Sequence, residues 1–122
     1  MDDRSTARSI AAGRVLFGLL CLFVPKLVLG RVAREASGPM LWMVRAFGIR
    51  DTVLGAGALA ALADGNDEVR WVAIGALADT ADLTTAVVRR DELGGRNFAA
   101  TVSLALPAAA LGWKSVRGLR AR

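Results

Sequence analysis

Four stretches of this chain, 9–30, 41–63, 69–88 and 97–116, are each close to the roughly 20 residues that carry a helix across about 30 Å of hydrocarbon. The connections between them are short, and helices joined this way run antiparallel to their neighbours. The expected fold is all-α: a four-transmembrane-helix antiparallel bundle forming a single integral membrane domain over residues 1–122. A soluble four-helix globule would carry a polar stripe along each helix. Residues 15–25 (VLFGLLCLFVP) and 97–113 (NFAATVSLALPAAALGW) carry none.

Charge inside such stretches is expensive unless it is paired or turned toward protein. Six residues meet this condition: Arg14, Arg45, Arg50, Asp51, Asp79 and Asp82. At about 1.5 Å of rise per residue, Arg50 and Asp51 fall near the middle of the second helix and Asp79 near the middle of the third. Asp79 and Asp82 are three apart and share a helix face. Matched depth predicts that Arg50 pairs with Asp79 or Asp82 and that Arg14 reaches Asp79 or Asp51. Arg45 is shallower and is expected to snorkel. The buried charge network is therefore Arg14, Arg50, Asp51, Asp79 and Asp82. With Arg45 included, three arginines balance three aspartates. Balance favours fixed salt bridges that set helix register over a proton path, because a nearby guanidinium favours the ionised carboxylate.

The chain is 54% hydrophobic with a formal charge of +5 and a mean hydropathy of +0.43. Its basic residues gather at helix ends, including the tail Lys114, Arg117, Arg120 and Arg122. That placement suits anionic lipid headgroups at the basic loops. No basic stripe is interleaved with aromatics, so nucleic acid is not an expected partner. Basic residues divide almost evenly between the two faces of the membrane. Both termini are placed in the cytoplasm on the weight of the tail and of Arg14, in a bacterial inner membrane. The opening Met-Asp-Asp and the lack of a clear small-x-small site argue that the first helix stays rather than being cleaved.

Local signals mark the ends of the helices. Ser5 or Ser9 is a candidate N-cap for the first. The linker 31–40 holds Gly38-Pro39, and 64–68 and 91–96 read as turns. Trp42 and Trp71 sit at interface depth. Pro107 is expected to kink the fourth helix or to require a polar neighbour. Gly48, Gly55 and Gly75 are expected to pack inside the bundle. Gly13 and Gly18 on the first helix, with Pro107 and Gly112 on the fourth, are the candidate partner-docking positions.

Catalysis has little material here. The chain has no His and no Tyr, and its single cysteine, Cys21, lacks a base and reads as a small core residue. No ligand cluster points to a metal or a cofactor, and Gly55-x-Gly57 lies in a membrane stretch rather than a phosphate loop. An enzyme is not expected.

The string RAFGIRDTVLG at 45–55, with Asp79 and Asp82 in the third helix and the run from Arg14 to Pro25 in the first, resembles a family of small four-helix actinobacterial membrane proteins of unknown function. Its pattern is R-x-x-G-x-R-D-x-x-L-G in the second helix with an acidic residue midway along the third. The resemblance marks Arg50, Asp51 and Asp79 as signature residues. The chain is also similar in look to the small accessory subunit of the mycobacterial Mce-type lipid importer. The resemblance and the Ala-rich helices, which promise little interior room, lead to one expectation. It is an accessory subunit that docks on a larger membrane complex, such as a lipid transporter, and stabilises or regulates it. The alternative is a small self-assembling proton- or solute-coupled carrier using the buried Asp and Arg residues.

Overall fold

The computed structural model describes residues 2–121, and of residues 31–33 the backbone alone. Arg122 of the tail lies outside the described residues. Helix α1 spans Asp3–Phe23, α2 Pro25–Leu29, α3 Gly38–Asp64, α4 Glu68–Val88 and α5 Arg90–Arg120, with a 3-10 segment over Gly30–Glu35. No strand occurs among the described residues.

Helix α1 begins earlier than the apolar pattern suggests. Asp2, not Ser5 or Ser9, is its cap: the Asp2 carboxylate accepts from the Ser5 backbone N–H at 2.7 Å. The helix also ends earlier, at Phe23. Pro25 disfavours a helical conformation at the residue before it, and Val24 adopts φ −132°. The expected helix 9–30 is thus displaced to 3–23, with residues 25–35 folded into two short helical turns. Ser37 caps α3, accepting from Met40 N–H, and Gly38 and Pro39 open that helix as the linker pattern suggested. Gly65 closes it in the left-handed region. The expected turn 91–96 is compressed to a break at Arg89 and a kink at Gly94, whose φ is +78°. Helical backbone continues through Pro107, so the kink of α5 lies at Gly94 instead.

The four long helices close a ring. α1 packs on α3 and α5, and α4 packs on α3 and α5. The α1–α3 seam is lined by small residues seven apart on each helix: Ala11 and Gly18 face Gly55 and Gly48. A Cβ on Gly18 would stand 2.6 Å from the Gly48 carbonyl oxygen, and one on Gly55 2.6 Å from the Ala11 oxygen. The two backbones therefore touch, as small residues permit. On the α4–α5 side Gly112 lies against Ala76, and the Trp113 Nε1–H donates to Thr80 Oγ1 at 2.9 Å. Ala7, Leu62, Val72, Val116 and Leu119 form an apolar core at the end of the bundle that carries the chain termini.

The exterior carries many large apolar side chains. Leu16, Phe23, Trp42, Met43, Ile49 and Val53 all point outward. Among the described residues three helices, α1, α3 and α4, are long and apolar enough to cross a membrane. The apolar run of α5 is broken by Asn97, Ser103, Pro107 and Lys114.

Arginines close three helix C-termini, where backbone carbonyls lack donors. Arg45 donates to Leu22 O at the end of α1, Arg4 to Leu62 O near the end of α3, and Arg90 to Val87 O at the end of α4. Arg4 also pairs with Glu68 at the start of α4.

Candidate functional site

The charge network sits where the four helices enclose the centre of the bundle. Arg14 leaves α1 and crosses to α4. Its Nη2 donates to the Gly75 carbonyl at 2.9 Å and to the Asp79 carboxylate, while its Nη1 lies 3.6 Å from Asp51 Oδ1 on α3. The path across is open because Gly75 has no side chain: a Cβ there would meet the guanidinium at 3.2 Å. Arg50 holds Asp82 in a fork, Nη1 to Oδ1 at 3.1 Å and Nη2 to Oδ2 at 2.8 Å. Its Nη2 also reaches Asp51 Oδ1 at 3.3 Å. The guanidinium stacks 4.4 Å from the centre of the Phe47 ring, one helical turn away.

The result is one chain of alternating charge, Asp79–Arg14–Asp51–Arg50–Asp82, in which Asp51 is shared by both arginines. Its two halves differ in exposure. The side chains of Arg14, Asp51 and Asp79 are 9%, 7% and 9% exposed, those of Arg50 and Asp82 35% and 31%. All five expected network residues are therefore brought together. Arg45 is not among them. It is exposed and bound to the end of α1, so the balance of three against three does not hold inside the bundle. Two arginines there face three aspartates.

Beside this chain lies a half-open cavity of about 750 Å³, part of whose lining, such as Gly13 and Leu104, is exposed. Apolar walls come from Ile10 and Phe17 of α1, Phe47 of α3, and Leu93, Leu104 and Ala105 of α5. Arg14, Asp51, Asp79 and Asp82 form its polar wall. Toward the chain termini the bundle is closed by the core around Leu62 and Val116. Toward the other end the cavity reaches exposed Arg89 and Glu92, which pair at 3.4 Å. Gly13 also lines it, is exposed, and has nothing within 4 Å of where a Cβ would stand. The room arises because α1 and α5 meet near the termini, where Asp3 approaches Gly118, and leave a gap beside Gly13.

The docking candidates divide. Gly18 and Gly112 are buried in contacts inside the bundle, against Gly48 and Ala76, and are not free for a partner. Gly13 opens on the cavity, and Pro107 is exposed on α5. Cys21 is 1% exposed and packs as a small core residue. Among the described residues no group of three or more His, Cys, Asp or Glu side chains could hold a metal ion.

The cavity's aromatic and α5 residues were not foreseen. Phe47 had a signal, since it lies three residues before Arg50. Phe17, Leu104 and Ala105 had none beyond their apolar character.

Comparison with known protein families, with curated proteins and with solved structures finds no match to this chain.

Proposed function

We propose that this chain is a small integral membrane protein that takes an apolar or amphipathic small molecule from the bilayer into the cavity between its helices, acting as a binding or carrier protein. On this reading α5 is a fourth span, and the protein sits in a bacterial plasma membrane with both termini in the cytoplasm. The observation that carries the reading is the cavity of about 750 Å³ with the Asp/Arg chain along one wall. Its size falls within the roughly 300–1,000 Å³ common for small-molecule sites. Ionisable groups inside a membrane protein point to function by default.

The accessory-subunit reading rests on the resemblance and on a lack of interior room. It keeps the exposed Pro107 and the basic helix ends, where Arg34, Arg96, Lys114 and Arg117 are exposed and suited to anionic lipid.

The test is saturable binding of a neutral fluorescent probe, N-phenyl-1-naphthylamine, to the purified chain in lipid nanodiscs. Binding at one site per chain is expected, weakened in Gly13→Leu, which adds bulk at a cavity-lining position with nothing within 4 Å of its Cβ. Equal, non-saturable partitioning in both proteins would sink the cavity reading. Co-purification of a defined larger complex from native membranes would then make the subunit the better account.

A further inference from the structure

The structure assigns this cavity a preference for a singly charged amphipathic cation, an amine or quaternary ammonium head on an apolar body. The inference rests on the reading of the cavity as a ligand site and names the ligand class. Its ground is the charge count in the bundle. The chain Asp79–Arg14–Asp51–Arg50–Asp82 begins and ends with a carboxylate, so two guanidinium groups leave one negative charge uncompensated. Arg89 at the mouth is matched by Glu92 and adds nothing. Arg45 is engaged at the end of α1. At the Asp79 end, where the carboxylate is 9% exposed, little water screens that charge, whereas Asp82, 31% exposed, is screened more.

The arginines do not offer an anion a comparable grip. Arg14 is engaged by Asp79, Asp51 and the Gly75 carbonyl, and Arg50 by Asp82 and Asp51. The Nε of Arg50 is buried without a hydrogen-bond partner, but Arg50 is not among the residues lining the cavity. Asp79 and Asp82, the two ends of the chain, lie three apart on α4 and both line the cavity. The cation's head sits on this face of α4, with its apolar body among Phe17, Leu104 and Ala105. The rings of Phe17 and Phe47 meet edge to face at 6.0 Å and add to the apolar wall. A divalent metal is a poorer occupant, for no metal-binding cluster exists among the described residues.

A charge-reversed pair of nearly identical shape tests this: tetraphenylphosphonium against tetraphenylborate, each titrated against the neutral naphthylamine probe on the full chain in nanodiscs of uncharged lipid. The cation should displace the probe at about tenfold lower concentration than the anion or better, as a net attraction in a poorly screened site requires. Asp82→Asn, which brings the network to balance, should erase that difference, each ion being compared with the other on the same variant whatever affinity it keeps for the neutral probe. Asp82→Glu should restore it. Equal or tighter displacement by tetraphenylborate on the wild type overturns the cation preference while the cavity reading stands. Failure of the neutral probe itself to bind saturably overturns both. Should Asp82→Asn not fold, the wild-type comparison of the two ions decides alone.

Discussion

At the scale of single residues, Arg14 is the member of the network on which most depends. It is nearly buried and joins three helices through Asp79, Asp51 and the Gly75 carbonyl. Arg50 and Asp82 are about a third exposed, so solvent weakens their pairing. Arg14→Gln should therefore destabilise the protein by about 3–5 kcal/mol, the penalty for leaving buried carboxylates without their counter-ion. Arg50→Gln should cost clearly less. Detergent-denaturation midpoints in mixed micelles check the order, and an Arg50 variant weaker than the Arg14 variant would reverse it. Depth counting along the helices leaves Arg50 with Asp79 or Asp82 and Arg14 with Asp79 or Asp51; the structure gives Arg50 to Asp82 and Arg14 to both of its candidates. Depth also sets Arg45 apart as shallower and free to snorkel, and the structure turns it outward to the Leu22 carbonyl at the end of α1. Without Arg45 the site holds two arginines against three aspartates.

At the scale of helices, small residues were legible as packing positions but not as to what they pack against. Gly13, Gly18 and Gly112 look alike in sequence. The structure sets Gly18 on the Gly48 backbone and Gly112 on Ala76, and leaves Gly13 facing open space. The distinction depends on where α1 and α5 diverge, which no local pattern encodes, since they are the two helices farthest apart along the chain. Gly18→Leu should thus separate α1 from α3 and lower stability by several kcal/mol, on the order of an overpacked core position or worse. Gly13→Leu should leave stability unchanged or slightly higher, because leucine is the better helix former. Unfolding curves of the two variants against wild type test the pair, and similar losses in both would refute the seam. The helix ends taught a related lesson. Basic residues near helix ends suit lipid headgroups from sequence, yet Arg4, Arg45 and Arg90 each donate to a carbonyl at or near the C-terminal end of a helix.

At the scale of the whole molecule, the chain supplies its own reporter of integrity. Cys21 is the only cysteine and is 1% exposed against the α1–α3 seam. A membrane-permeant maleimide should leave it unmodified in the folded protein and modify it fully once the bundle is unfolded, as read by intact mass. Rapid native-state labelling would show that α1 and α3 part easily. The all-helical fold was plain from apolar length and short connections, and among the described residues three helices meet the length and apolarity needed to cross a membrane. The cavity was not plain, because it is a property of the angle between helices rather than of any helix.

The position of that cavity has its own consequence. It reaches solvent-exposed residues at Arg89 and Glu92 and is stopped at the opposite end by Ala7, Leu62, Val72, Val116 and Leu119, with Arg4 clasping Leu62 and Glu68 beyond them. On the proposed reading, a guest would enter and leave through the same half of the bundle, and the protein would act as a reservoir rather than a conduit. Passage to the far leaflet would demand a second arrangement in which the five-residue plug parts and Arg4 lets go, so the difference between storing a molecule and moving it comes down to the stability of that one small cluster.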